Sequence, residues 1–249
     1  MEPNTEHQDR KVANDKLLPI SVLVAAILIS GSVLYVVGRA GNQTGQAAQK
    51  VLQAQDPSVA EVNLDNVKPI GAADHILGNP DAPVKIVEFS DTECPFCKQF
   101  HPTMQQALKE YDGKVAWVYR HFPLDAIHSK ARKEAEATEC ANELGGNEKF
   151  WAYLNRLFKV TPSNDQLDLA ELPEIAAYVG LDRAKFTTCL NSGKYAQHVA
   201  DDLADGQNSG GNGTPWSIVI ATNGKKFPLS GAQPYATVKQ LINLALQEK

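Results

Sequence analysis

Two cysteines separated by two residues, in Cys94-Pro95-Phe96-Cys97, are the residues of this chain whose type and spacing point most directly to chemistry. Such a pair can cycle between dithiol and disulfide when one sulfur is ionised and reachable and the other lies close enough to displace whatever the first captures. The same spacing is also half of a zinc site. Structural zinc takes a second Cys or His pair at similar spacing, and no second Cys-x-x-Cys occurs among the four cysteines. The spacing therefore favours redox chemistry, with no metal and no cofactor expected.

The surrounding elements decide whether a thiol here can ionise. The apolar run 84–89 reads as a strand, and Met104, Ala107 and Leu108 continue a helix that opens at the first cysteine. Cys94 then stands at a helix N-terminus, where unpaired N–H groups and the positive end of the macrodipole stabilise a thiolate, and Cys97 lies one turn inside. Glu88 falls on the same side of the strand as Val84 and Ile86. On an edge strand its carboxylate would face solvent; buried near Cys97, its pKa would rise and suit it to moving a proton as that thiol leaves or attacks. His101, four residues after Cys97, reads either as a group that tunes the thiol or joins a copper site, or as a surface residue; His121 and His128 carry the same alternatives.

Beyond the motif, residues 115–119 read as a second strand, and helices are expected over 129–144, 149–159, 171–179, 182–190 and 195–203. Ser129 is the expected N-cap of the first and Gly145 its stop. Strands resume at 216–220, Asn223-Gly224 signals a hairpin to 226–229, and an amphipathic helix over 235–247 closes the chain. Thr214-Pro215 stands just before these strands, where a cis bond would present backbone to a bound chain. Cys140 and Cys189 both fall on apolar helix stripes. They are either inert buried thiols or, if Cys94 pairs with Cys97, the one pairing left, which an extracytoplasmic location favours.

The N-terminal part differs in character. Residues 1–16 form a polar tail, and 17–37 carry no Asp, Glu, Lys, Arg or His, enough as a helix to span about 30 Å of hydrocarbon. The expectation is an uncleaved transmembrane signal anchor, with a cleavable signal peptide as the competing reading. Residues 38–70 read as a polar stalk and 71–249 as the folded domain. A net charge of −5 offers no basic footprint for nucleic acid. A stable disulfide belongs outside the cytoplasm, so the expected arrangement is single-pass in the cytoplasmic membrane with the domain on the outer side.

The order strand, Cys-x-x-Cys helix, strand, helical insert, Thr-Pro, hairpin, helix resembles an α/β thioredoxin-like fold with an insert at about 122–205. More narrowly it resembles the DsbA-like thiol-disulfide oxidoreductases of the bacterial envelope, including membrane-anchored members. The resemblance covers residues 71–249. It rests on Gly78-Asn79-Pro80-Asp81-Ala82-Pro83-Val84, on Glu88-Phe89-Ser90-Asp91 leading into the cysteine motif, on Arg120-His121-Phe122-Pro123-Leu124 and on Gly213-Thr214-Pro215. Pro102 takes the place of the proline that kinks the active-site helix in such proteins. The resemblance implies Cys94 as exposed nucleophile, Cys97 as buried resolving partner, a cis Pro215, Thr214 backbone pairing with substrate, and Glu88 as the buried acid. It also implies a structural disulfide between Cys140 and Cys189, as in part of the family. The implied partners are exported proteins with free thiols or disulfides, and a quinone-linked membrane partner. Phe96 departs from the family's strongest oxidases, which place a histidine between the cysteines. Without it, and with Asp91 and Glu93 able to oppose ionisation if they lie close, a less oxidising couple is expected. The alternatives are a disulfide isomerase or reductase, and a non-catalytic metal-binding or holdase module on the same fold.

Overall fold

Strand β2 (Val84–Ser90) is buried along nearly its whole length because it is the middle strand of five. This is a computed structural model, and it describes residues 63–248. The expected tail at 1–16, the expected anchor at 17–37 and all but the end of the expected stalk lie outside the described residues. Among the described residues, no helix is long and apolar enough to cross a membrane.

The sheet runs β1-β3-β2-β4-β5, with β1 His75–Gly78, β3 Val115–His121, β4 Trp216–Ile220 and β5 Lys226–Ser230. Only β2 and β3 pair in parallel, and helix α1 (Pro95–Glu110) makes the crossover that a parallel pair requires. The β4–β5 hairpin turns through Asn223 and Gly224, the glycine taking a left-handed φ of 83°. Strand β1, which no alternation in the sequence announces, adds antiparallel to β3.

Alternation along the strands divides the core. On one face Val84, Ile86, Trp117 and Tyr119 meet α1, the closing helix and Phe150, Leu154 and Phe158 of the insert. On the other, Val87, Phe89, Val118 and Ile218 pack with Phe122, Trp216 and Leu203. The insert contains α2 (Ala131–Val160), α3 (Glu171–Tyr178), α4 (Arg183–Ser192) and α5 (Ala196–Asn208), and the chain closes with α6 (Tyr235–Gln247). Cys140 and Cys189 form a disulfide joining α2 to α4 inside an apolar cluster with Tyr153, Leu157, Leu172 and Phe186.

Two local expectations need correction. The two helices expected over 129–144 and 149–159 are both present and meet at a kink at Gly146, whose φ of 71° and ψ of −174° are not helical, so the stop falls one residue after the expected Gly145. Ser129 does not cap the first. The carboxylate of Asp165, from the far side of the insert, accepts the N–H groups of Ser129 at 2.8 Å and Lys130 at 2.9 Å and satisfies the helix start instead. Asp182 does cap α4, accepting from Lys185 N at 2.9 Å.

Residues 64–70, the end of the expected stalk, pack on the domain. Val67 is buried, Lys68 N–H donates to Asp205 Oδ1 at 2.8 Å, and Arg120 donates to the carbonyls of Lys68 and Pro69. The same guanidinium bonds Asp74 Oδ1 at 2.7 Å and Asp205 Oδ2 at 2.6 Å, tying β3, α5 and the start of the domain together.

Candidate active site

At the end of β2, the turn Asp91-Thr92-Glu93 delivers Cys94 as the N-cap of α1, with Pro95 as the first helical residue, where its missing N–H breaks no helix bond. Cys94 and Cys97 are both free thiols. The Thr214–Pro215 bond is cis, as expected, and the Thr214 carbonyl lies 3.5 Å from Cys94 Sγ, within reach of the thiol as acceptor. Thr214 Oγ1 is buried without another partner and favours the thiolate. Helix α1 runs on through Pro102.

Cys94 is not the exposed residue the resemblance implied, for only 3% of it is accessible. It lines a groove of about 670 Å³ instead, together with Phe96, Phe122, Ile127, His128 and Thr214. Phe96 and Ile127 are 60% and 66% exposed and make an apolar rim. A captured chain would have to come into the groove to meet the sulfur.

The two thiols are driven apart in acidity. Cys94 is held down to about 6, chiefly by the hydrogen bond from the Cys97 thiol, then by Thr214 and by the Cys97 and Phe96 amides at the helix start, against the opposing effect of burial. Cys97 is pushed well up by burial and by the neighbouring Cys94 and Glu88 charges, although the Asp91 amide donates to its sulfur at 3.4 Å. One sulfur is thus a thiolate near neutral pH while the other keeps its proton.

Glu88 is 1% exposed, on the central strand opposite Tyr119 and Ser217, so the solvent-facing edge reading does not apply. Burial raises its pKa to about 7, partly offset by the side chains of Ser90 and Trp117. Its Oε2, the Tyr119 hydroxyl and the Ser217 hydroxyl are all buried without partners, a polar interior behind the dithiol.

Asp91 and Glu93 do not oppose Cys94 as expected, because their charges are engaged elsewhere. Asp91 accepts from Glu93 N at 2.7 Å, Leu124 N at 2.8 Å and His128 Nδ1 at 2.8 Å. Glu93 Oε2 accepts from Asp165 N at 2.6 Å. Beside Glu93 lies the buried Glu134 of α2, which no donor reaches; burial first and the Glu93 carboxylate second push it up to about 9, so it is a neutral acid at pH 7.

The histidines separate. His101 is not a surface residue, and among the described residues it belongs to no cluster of metal-ligating side chains: it is buried between Trp117 and Phe158, bonds Asn155 at 2.6 Å, and burial lowers its pKa to about 4. His121 is buried on Glu139. His128 lines the groove on Asp91; burial alone would lower its pKa, but the Asp91 carboxylate and the Cys94 thiolate raise it, so a cationic imidazole can share the groove with the nucleophile. Ser163, Asn164 and Asp165 follow one another at left-handed φ values of 69°, 55° and 60°, an arrangement non-glycine residues adopt only where neighbours hold them. Glu93 does so, through its carbonyl to Asn164 N at 2.9 Å and its carboxylate to Asp165 N. Sequence reasoning missed Glu134, Asn164 and Asp165, because their partners in the motif are separated from them by tens of residues and no spacing rule links them.

A family model described as Thioredoxin matches residues 72–243. Among solved structures, DsbA2 of Pseudomonas aeruginosa is 26% identical with a TM-score of 0.60, covering 73% of this chain and 100% of its own. A thioredoxin-like oxidoreductase from Silicibacter pomeroyi is 25% identical with a TM-score of 0.61, covering 75% and 99%. A curated relative, the Na(+)/H(+) antiporter NhaA 1 of Mycolicibacterium gilvum, is 33% identical over 168 residues, 66% of this chain and 26% of that protein. The chain thus spans about a quarter of the length of such relatives. With a match over well more than half its length, the chain belongs to the thioredoxin family, and the solved structures it resembles are DsbA-family thiol-disulfide oxidoreductases.

Proposed function

We propose that this protein is a thiol-disulfide oxidoreductase acting on exported proteins at the outer side of the cytoplasmic membrane, tethered by residues 17–37. The observation that carries the chemistry is the split between Cys94, ionised above about 6, and Cys97, protonated well beyond that, at the edge of an apolar-rimmed groove. Localisation and tether rest on the sequence pattern and on the family resemblance.

In the oxidised protein, a substrate thiolate attacks Cys94 Sγ, the Cys94–Cys97 bond breaks, and the electron pair leaves on Cys97. Cys97 takes up a proton, for which Glu88, titrating at about 7, is a suitable donor. The substrate's second thiolate then attacks its own sulfur in the mixed disulfide and expels Cys94, a good leaving group because its thiol is acidic. Two substrate thiols are oxidised, the dithiol is left reduced, and an external disulfide, by family resemblance a quinone-linked membrane protein, must reoxidise it. The carbonyl of Thr214 beside Cys94 offers backbone to an extended substrate, and Phe96 and Ile127 suit an unfolded apolar one.

A Cys94 pKa of about 6 lies between the roughly 3.5 of strongly oxidising relatives and the roughly 7 of thioredoxin, which supports a couple less oxidising than the strongest members. Direction is tested by reoxidation of reduced RNase set against insulin reduction, with the redox potential of the Cys94–Cys97 couple. The site itself is tested by Cys97→Ala in cells, which should leave exported proteins covalently attached to Cys94. A folded, expressed variant with nothing attached would remove the proposal.

A further inference from the structure

Where the insert docks on the sheet, three imidazoles gather round one carboxylate. His75 Nε2 on β1 and His121 Nε2 at the end of β3 each lie 2.8 Å from Glu139 Oε1 of α2. His198 Nε2 on α5 lies 3.6 Å from that same oxygen and 3.8 Å from Asp202 Oδ2, beyond hydrogen-bond distance of both. The ligand atoms of His75, Glu139 and His198 all fall within 4.8 Å of one another. Phe150 fixes the first ring by stacking, with centroids 3.5 Å apart and planes 11° apart. A hydrogen-bonded carboxylate would be satisfied by His75 and His121 alone; the third imidazole, aimed between two carboxylates and bonded to neither, is surplus to that arrangement.

We propose that His75, Glu139 and His198 form a site for a divalent transition ion of the zinc class, with His121 positioning the Glu139 carboxylate. Two nitrogens and one carboxylate oxygen suit such an ion better than calcium or magnesium, which take oxygen sets. Bonds of about 2.0–2.1 Å place tetrahedral ligand atoms roughly 3.3 Å apart, so the 2.8 Å and 3.6 Å pairs need adjust by about half an ångström or less, and the widest pair, within 4.8 Å, closes by at most about 1.5 Å shared between two side chains. His198 also lines a pocket of about 270 Å³ with Asp202 and Arg120, which would give an ion a route in from solvent. His121 then has the second-sphere role usual at such sites, orienting a ligand through its other contacts. The ligands come from β1, α2 and α5, and none lines the dithiol groove, so the ion would fasten the insert to the sheet without entering the exchange reaction.

Because the Cys94–Cys97 dithiol can itself take zinc, the test uses the full chain carrying Cys94→Ser and Cys97→Ser. After chelator stripping, zinc is titrated against a chromophoric competitor and the bound ion is examined by X-ray absorption. One zinc per chain is expected, with nitrogen and oxygen neighbours only, and a raised Tm. His198→Ala, a change at a partly exposed position, should weaken binding at least tenfold while circular dichroism shows the fold intact; His121→Gln should weaken it by about 10–100-fold. Absence of binding at micromolar free zinc, or binding unchanged in His198→Ala, would overturn the site and leave a hydrogen-bonded post. These readouts do not involve the dithiol, so they stand or fall apart from the proposed exchange activity.

Discussion

The protein holds two cysteine pairs and treats them in opposite ways. Cys94 and Cys97 stand at the open end of α1 on a groove, among amides, a threonine hydroxyl and each other. Cys140 and Cys189 lie within α2 and α4, surrounded by Tyr153, Leu157, Leu172 and Phe186, and already joined in a disulfide. Residue type is the same in both. Position along a helix, and what the sulfur faces, separates a reactive pair from an inert crosslink.

The contrast can be broken most directly by exchange kinetics. Cys94→Ser should lower RNase oxidation by at least about a thousandfold, whereas Cys140→Ala with Cys189→Ala should keep it within about threefold. An inactive double variant would make the second pair part of the reaction. The same double variant should be less stable, since a crosslink at a sequence separation of 49 contributes on the order of 2–4 kcal/mol through the unfolded chain; urea midpoints measure this.

Glu88→Gln sharpens the difference within the first pair. Losing the carboxylate should lower the Cys97 pKa and, by removing the group that hands Cys97 its proton as it leaves, slow formation of the mixed disulfide by about tenfold to a hundredfold, read by quenched-flow alkylation. In the parent, thiolate absorbance of the reduced form should titrate with a midpoint near 6. A thiol depressed from 9.0 favours the folded reduced state above the higher value, and this contribution fades as pH falls through the lower one. Relative to Cys94→Ser, the reduced parent should therefore lose stability on acidification towards pH 6. Glu134→Gln should be nearly neutral at low pH. A carboxyl raised from 4.5 to about 9 keeps an extra proton in the folded state, so the parent should lose ground to the variant as pH rises across that window, measured by denaturant midpoints.

Much of this was legible in the sequence because the signals are local. The cysteine spacing, the alternation that puts Glu88 on one side with Val84 and Ile86, the Asn223-Gly224 turn and the 235–247 helix all follow from contacts within a few residues. What escaped depends on distant partners. The four residues of β1 are too short to show a period and owe their strand to β3. The start of α2 is capped by Asp165, not by Ser129 beside it. Whether Asp91 and Glu93 would repel a thiolate could not be read from their nearness in sequence, since His128 and Asp165 decide it. His101, for which tuning the thiol, joining a copper site and facing solvent all stood open, is covered by Trp117 and Phe158 from two other elements.

The hydrogen bonds round the dithiol close into a collar. Asp91 grips His128, Glu93 grips Asn164 and Asp165, and Asp165 in turn grips Ser129 and Lys130, next along from His128. The aperture above Cys94 is therefore tied to the insert on several sides. These amides should exchange with solvent in one concerted opening, and under the proposed exchange activity a substrate too bulky for that width would have to unfold further before its sulfur could reach the floor.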